Sequence, residues 1–116
     1  MSVKLNTRPV GDVTVIDVSG RIALGEGSNA IRDEVRNLTA SGNRKILLNL
    51  GDVSYIDSTG IGELVAGFTS AAKAGGTMKL LSPTKRVKDL LRISKVNTIF
   101  DVHEDEAHAV GSFAQK

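Results

Sequence analysis

The sequence contains no cysteine. That excludes a disulfide framework and any cysteine-ligated metal. It contains no tryptophan, one tyrosine and three phenylalanines. Stacking on bases or sugars is therefore not available as a main recognition device, and the core has to be aliphatic. Net charge is nearly absent, at +2 from 15 basic and 13 acidic residues. A dedicated nucleic-acid binder would show a concentrated basic face. No apolar run approaches the roughly 18 residues of a membrane span. The opening Met-Ser-Val-Lys-Leu-Asn lacks the pattern of a signal peptide, so a cytoplasmic protein is the expectation.

What is present is one domain's worth of chain. The 116 residues, 41% of them apolar, suffice for a single core, expected over about residues 3–113. Val3 to Arg8 alternates apolar and polar, and Val13, Val15, Ile16 and Val18 follow the turn Val10-Gly11-Asp12. These predict a hairpin, closed by Ser19-Gly20-Arg21. Gly25 to Ser28 reads as a loop, with Ser28 or Asn29 capping a helix on Ile31, Val35 and Leu38. Ile46 to Leu50 is a nearly continuous apolar strand, the pattern of burial on both faces, before a turn at Gly51-Asp52.

From Thr59 the period becomes helical. Ile61, Leu64, Val65, Phe68 and Ala72 form the inward stripe, with Gly60, Glu63, Gly67, Ser70 and Lys73 opposite. Gly75-Gly76 ends that helix. Met78 to Leu81 predicts a strand, and Thr84 to Ser94 a helix with Val87, Leu90 and Leu91 inward. A short extended piece is expected at 98–100. A last helix from Asp105 turns Ala107, Val110 and Ala114 inward, its acidic start suited to the helix dipole. The order β-β-α-β-α-β-α-β-α predicts a small α/β sheet of mixed direction.

The segment Tyr-Ile-Asp-Ser-Thr-Gly-Ile-Gly at 55–62 concentrates the chemistry. Asp57 or Ser58 offers an oxygen to cap the following helix. Ser58 as a nucleophile would need a nearby base. The only histidines are His103 and His108, and the segment is not Gly-x-Ser-x-Gly. A phosphate-binding loop would place a lysine at the helix start, and none is there. A fourth reading makes Ser58, or failing it Thr59, a phosphate acceptor. A helix N-terminus tolerates the added charge, while a docked surface does not.

Other candidates are weaker. Gly25-x-Gly27 lacks the third glycine of a dinucleotide fingerprint. His103 and His108, five apart, would sit about 140° apart around a helix, so no metal site is expected. Lys85, Arg86, Lys88, Arg92 and Lys95 give a basic helix face, solvated or turned toward an acidic partner.

Three stretches, Gly11 to Ile22, Ile46 to Gly62 and Gly75 to Pro83, together resemble the STAS domain. More narrowly they resemble the bacterial anti-sigma factor antagonists, over nearly the whole chain. The Asp-Ser-Thr-Gly-Ile-Gly segment is the most specific part. The resemblance implies a small mixed sheet of four to five strands with helices packed largely on one side. It implies a non-enzyme in which Ser58 is phosphorylated by an anti-sigma factor that is itself a serine kinase. The unphosphorylated antagonist binds that kinase and frees a sigma factor, and a separate serine phosphatase resets it. ATP and metal then belong to the partners, and the chain itself needs no cofactor. Asp57, Ser58, Thr59, Gly60, Ile61 and Gly62, with Glu26 and Gly27, form the expected partner surface.

The chain departs from the family at Ala23, where many members carry an acid that helps partner contact and phosphorylation. Glu26 is left as the substitute. STAS-like domains also serve in stress-signalling scaffolds, lipid-transport assemblies and anion transporters. The missing span disfavours the transporter, and the intact Asp-Ser-Thr-Gly disfavours a role without a switch.

Overall fold

A computed structural model describes residues 3–23 and 29–114. Strand β1 (Lys4–Val10) and strand β2 (Val13–Ile22) form the expected hairpin. Its two-residue loop begins at Gly11, whose φ of +64° suits a residue without a side chain. Helix α1 (Ala30–Ala40), strand β3 (Lys45–Ile56), helix α2 (Ser58–Lys73) and strand β4 (Thr77–Leu81) follow. Helix α3 (Lys85–Ile93), strand β5 (Val102–His103) and helix α4 (Glu106–Ser112) complete the order. The sheet runs β1-β2-β3-β4-β5. Only the hairpin is antiparallel; β2, β3, β4 and β5 pair in parallel. Each parallel pair is joined through a helix, the connection that parallel pairing requires.

Consecutive residues of β3 explain its apolar run. Ile46 and Leu48 join one core, with Ile16, Val18, Met78 and Leu80. Helices α1, α2 and α3 cover that face through Ile31, Val35, Leu64, Val87 and Leu91. Leu47 points the other way, with Val13, Val15 and Leu81, onto Ala109 of α4. Three helices thus lie on one face and one short helix on the other. Arg8 ties α4 to the hairpin. It donates to Asp17 at 2.7 Å and to Glu106 at 2.6 Å, and Asn49 adds a bond to Asp17 at 2.8 Å.

Several boundaries differ from expectation, each for a local reason. Ser19-Gly20-Arg21 and Gly51-Asp52 do not end their strands. The β2–β3 pairing shifts register between Asp17 and Ser19 and again between Gly20 and Arg21, with the extra residues on β3. Such bulges accommodate turn-like residues inside a ladder. The Asn49 side chain accepts the Gly51 N–H at 3.1 Å. The extended piece falls at Val102–His103 rather than at 98–100, which is turn and bend. In α2, Ala71 is buried and Ala72 exposed, and Gly60, Glu63 and Gly67 face inward. In α4, Ala109 is buried and Ala107 exposed, and Ala114 lies exposed beyond the helix end. Alanine and glycine on several faces leave the inward stripe poorly defined in the sequence.

Candidate functional site

Strand β3 ends at Ile56, which is buried, and Asp57 leaves the sheet in an extended conformation. Its carboxylate accepts the Gly60 N–H at 3.0 Å, so Asp57 is the cap of α2. Ser58 is then the first helical residue, and it is exposed. The first free N–H groups of a helix carry partial positive charge, so added negative charge is tolerated there.

The two glycines of the motif do different work. A Cβ at Gly60 would collide with the carbonyl of Ile22 and with Ile56 Cγ1 at 2.6 Å. Gly60 therefore lets the first turn of α2 sit on the end of β2. Its space is filled from within the chain, as is that of Gly67, against Ile31 and Met78. Ile61 is 5% exposed and belongs to the core. Gly62 is exposed with nothing within 4 Å of a built Cβ. Of the six expected motif positions, Asp57, Ser58, Thr59 and Gly62 reach the surface. Gly60 and Ile61 act beneath it. Glu26 and Gly27 lie outside the described residues, as does Ser28.

A groove of about 560 Å³ opens beside Ser58, between the end of β3 and α3. Its lining includes Tyr55, Lys85, Arg86, Leu90 and Ile93. Ile93 is 72% exposed, the most exposed large apolar side chain among the described residues. Two guanidinium groups share the Tyr55 ring, Arg21 at 4.3 Å and Arg86 at 4.9 Å from its centroid. Stacking of this kind holds arginines in place while their N–H groups stay available. The remaining basic face of α3 is largely paired. Lys85 and Arg92 both contact Asp89, and Lys88 meets Glu104. Sequence reasoning grouped Arg86 with these residues and missed both its partner and Arg21. The pairing of Arg21 with Tyr55 across β2 and β3 could be read only once the bulged register was known.

No histidine is among the groove's lining residues. The two histidines do meet elsewhere. His103 lies on β5 and His108 on α4, with ring centroids 5.4 Å apart. The expectation that they diverge assumed a single helix and is corrected here.

Glu63, five residues beyond Ser58 on α2, was also unexpected inside. It is 7% exposed, and its carboxylate accepts the backbone N–H of Arg32. The N-cap residue of α1, Asn29, makes no side-chain capping bond. Glu63 thus caps α1 from a neighbouring helix. Burial pushes its carboxyl up from the ordinary range, against the lowering effect of the Arg32 N–H. Its Oε1 has no partner.

Residues 4–109 match the STAS domain family. The chain belongs to that family. A STAS-type relationship is also visible in individual proteins. The chain is 28% identical to the anti-sigma-B factor antagonist of Bacillus subtilis over 102 residues, covering 88% of this chain and 92% of that protein. It is 36% identical over 69 residues to a TM1081 homolog of Thermotoga neapolitana, covering 60% of this chain and 61% of that relative. The fold matches the anti-sigma factor antagonist SpoIIAA of Bacillus in its unphosphorylated form. That match has a TM-score of 0.79 and 19% identity, over 97% of this chain and 98% of that one. At that identity the likeness is one of fold. The small mixed sheet of four to five strands expected for a STAS domain is observed with five. Among the described residues no helix is long and apolar enough to cross a membrane.

Proposed function

We propose that this STAS domain is an anti-sigma factor antagonist switched by phosphorylation of Ser58. The observation that carries the reading is the placement of Ser58. It is exposed at the first position of a capped helix, beside a groove that mixes Ile56, Leu90 and Ile93 with Lys85, Arg86 and Asp89. The names of the Bacillus relatives support the partner class. A structure of SpoIIAA in a phosphorylated form supports the chemistry.

In this mechanism an anti-sigma factor with serine kinase activity docks over Ser58, Gly62 and the groove. While it is held there, its sigma factor is free in the cytoplasm. The kinase brings ATP and metal and transfers a phosphoryl group to the Ser58 hydroxyl. The modified side chain carries about −1.5 to −2 charges. A dianion buried against a partner surface that offers it no cation costs several kcal/mol, and each ~1.4 kcal/mol is tenfold in affinity. Asp57, next in sequence, adds like charge. The partner leaves without any refolding of this chain, and a serine phosphatase restores the hydroxyl. The chain is a substrate and a ligand in this cycle, not a catalyst. Ala23 removes one acidic contact, so recognition rests more heavily on the Ser58 surface and on Glu26.

The test is capture of the cognate anti-sigma factor by wild type, Ser58→Ala and Ser58→Asp. Ser58→Ala is expected to bind and to resist phosphorylation by the captured partner with ATP. Ser58→Asp is expected to lose binding by about a hundredfold, a ~2.7 kcal/mol effect. Equal phosphorylation of wild type and Ser58→Ala would move the assignment to Thr59.

A further inference from the structure

The pair His103 and His108 is independent of the Ser58 surface and has a geometry of its own. Their Nδ1 atoms face each other at 3.3 Å. At that separation the N–H of one ring is within hydrogen-bond reach of the other ring's nitrogen. Two nitrogens bound to one tetrahedral zinc ion at about 2.0–2.1 Å lie about 3.3–3.4 Å apart. The observed separation suits a hydrogen bond between the rings and equally the bite of two nitrogens on one metal ion.

The other side of His103 fits the same role. Its Nε2 lies 3.1 Å from Asp101 Oδ2 and 3.4 Å from Ser112 Oγ. Ser112 spends its proton on the Ala109 carbonyl at 2.6 Å and accepts from Lys79 at 2.8 Å. Both neighbours of His103 Nε2 can only accept, Asp101 being the nearer, so Nε2 carries the proton and the lone pair lies on Nδ1, toward His108. A carboxylate behind an imidazole in this way fixes the tautomer and raises ligand basicity. Lys79, 3.1 Å from Asp101, holds that carboxylate in place and is neutralised by it. The His103 side chain is only 11% exposed, while His108 is exposed on α4, so the pair is set in the surface and open on one side.

We propose that His103 Nδ1 and His108 Nδ1 chelate a divalent transition metal ion, stapling α4 to β5. The remaining positions belong to water. Among the described residues no third histidine, cysteine or carboxylate completes a group around them. The Asp105 carboxylate is occupied with the His108 N–H at 2.8 Å. Two neutral imidazoles favour zinc, nickel or copper over magnesium or calcium.

Calorimetric titration of zinc into tag-free wild type, His108→Ala and Asp101→Asn tests the proposal, with magnesium as the control metal. The expected result is saturable binding of one zinc ion per chain and none of magnesium. His108→Ala, altered at an exposed position and checked for native circular dichroism, should bind at least tenfold more weakly. Asp101→Asn should lose about 10- to 100-fold, the usual effect of removing such a support. Zinc should also raise the melting temperature of wild type and not of His108→Ala. Absence of saturable zinc binding to wild type, or equal affinity in wild type and His108→Ala, would overturn the site.

Discussion

The first turn of α2 lies directly on the carbonyl group of Ile22, and Gly60 is the residue that permits it. The end of β2 and the start of α2 are thereby locked together immediately beneath Ser58. A methyl group at position 60 meets backbone, which cannot swing aside. Gly60→Ala is expected to destabilise the protein by about 1–3 kcal/mol, the usual cost of overpacking. Gly62→Ala meets open space and removes a flexible residue from a helix, so it should stabilise by about 0.5–1 kcal/mol. Urea unfolding of the two variants distinguishes them. Equal behaviour would contradict the contact.

Ser58→Asp should separate stability from binding. The exposed side chain enters the first turn of α2, where negative charge contributes about 0.3–1 kcal/mol of stabilisation. A melting temperature equal to or above that of wild type is expected from the same preparation that fails to capture the anti-sigma factor. A lowered melting temperature would mean that lost binding reflects damage to the fold.

The Arg8 network makes stability sensitive to acid. Hydrogen bonds from Arg8 hold the carboxyls of Asp17 and Glu106 below their ordinary values, against partial desolvation. A depressed carboxyl contributes stability that is present above its unfolded value, about 3.9–4.3. That stability is lost as pH falls through the folded value. Arg8→Ala should cost about 1 kcal/mol near neutrality, since the groups are partly exposed and screened. The difference from wild type should shrink below about pH 4. Thermal melts across that range measure it, and a constant difference would remove the network as the cause.

Glu63 carries the opposite sign. Its carboxyl is raised, so the folded state holds the proton more tightly than the unfolded chain does. Stability from this residue is therefore full below the ordinary carboxylate value and falls as pH rises through the folded one. Glu63→Gln keeps an oxygen for the Arg32 N–H and removes the buried charge. It should be more stable than wild type at pH 7 and equal to it in acid. Glu63→Ala, which leaves α1 without its cap, should be less stable at both. Melting curves of the three proteins at two pH values decide the matter.

The sequence carried the fold where pattern and packing agree. The β3 run Ile46 to Leu50 announced burial on both faces, and both faces are covered. It misled where one residue type serves two purposes. Gly51-Asp52 has the chemistry of a turn and sits in a bulge. Gly60 has the look of cleared surface and is a packing contact. Glu63 belonged by periodicity to the wet face and is drawn inside by the free N–H groups of α1. The Asp57-Ser58 cap was legible because it depends on neighbours in sequence. The stacking of Arg21 and Arg86 on Tyr55, and the meeting of His103 with His108, depend on strand register and could not be read.

Tyr55 is the only tyrosine in a chain without tryptophan, and it lines the groove beside Ser58 between two arginines. Emission excited in the tyrosine band, where phenylalanine does not absorb, thus originates from one ring at the proposed docking surface. Binding of a peptide free of tryptophan and tyrosine, or phosphorylation of Ser58, could be followed as a change in that emission in unmodified protein. The scarcity of aromatic residues, which rules out recognition by stacking on bases, leaves this one ring as a built-in optical reporter.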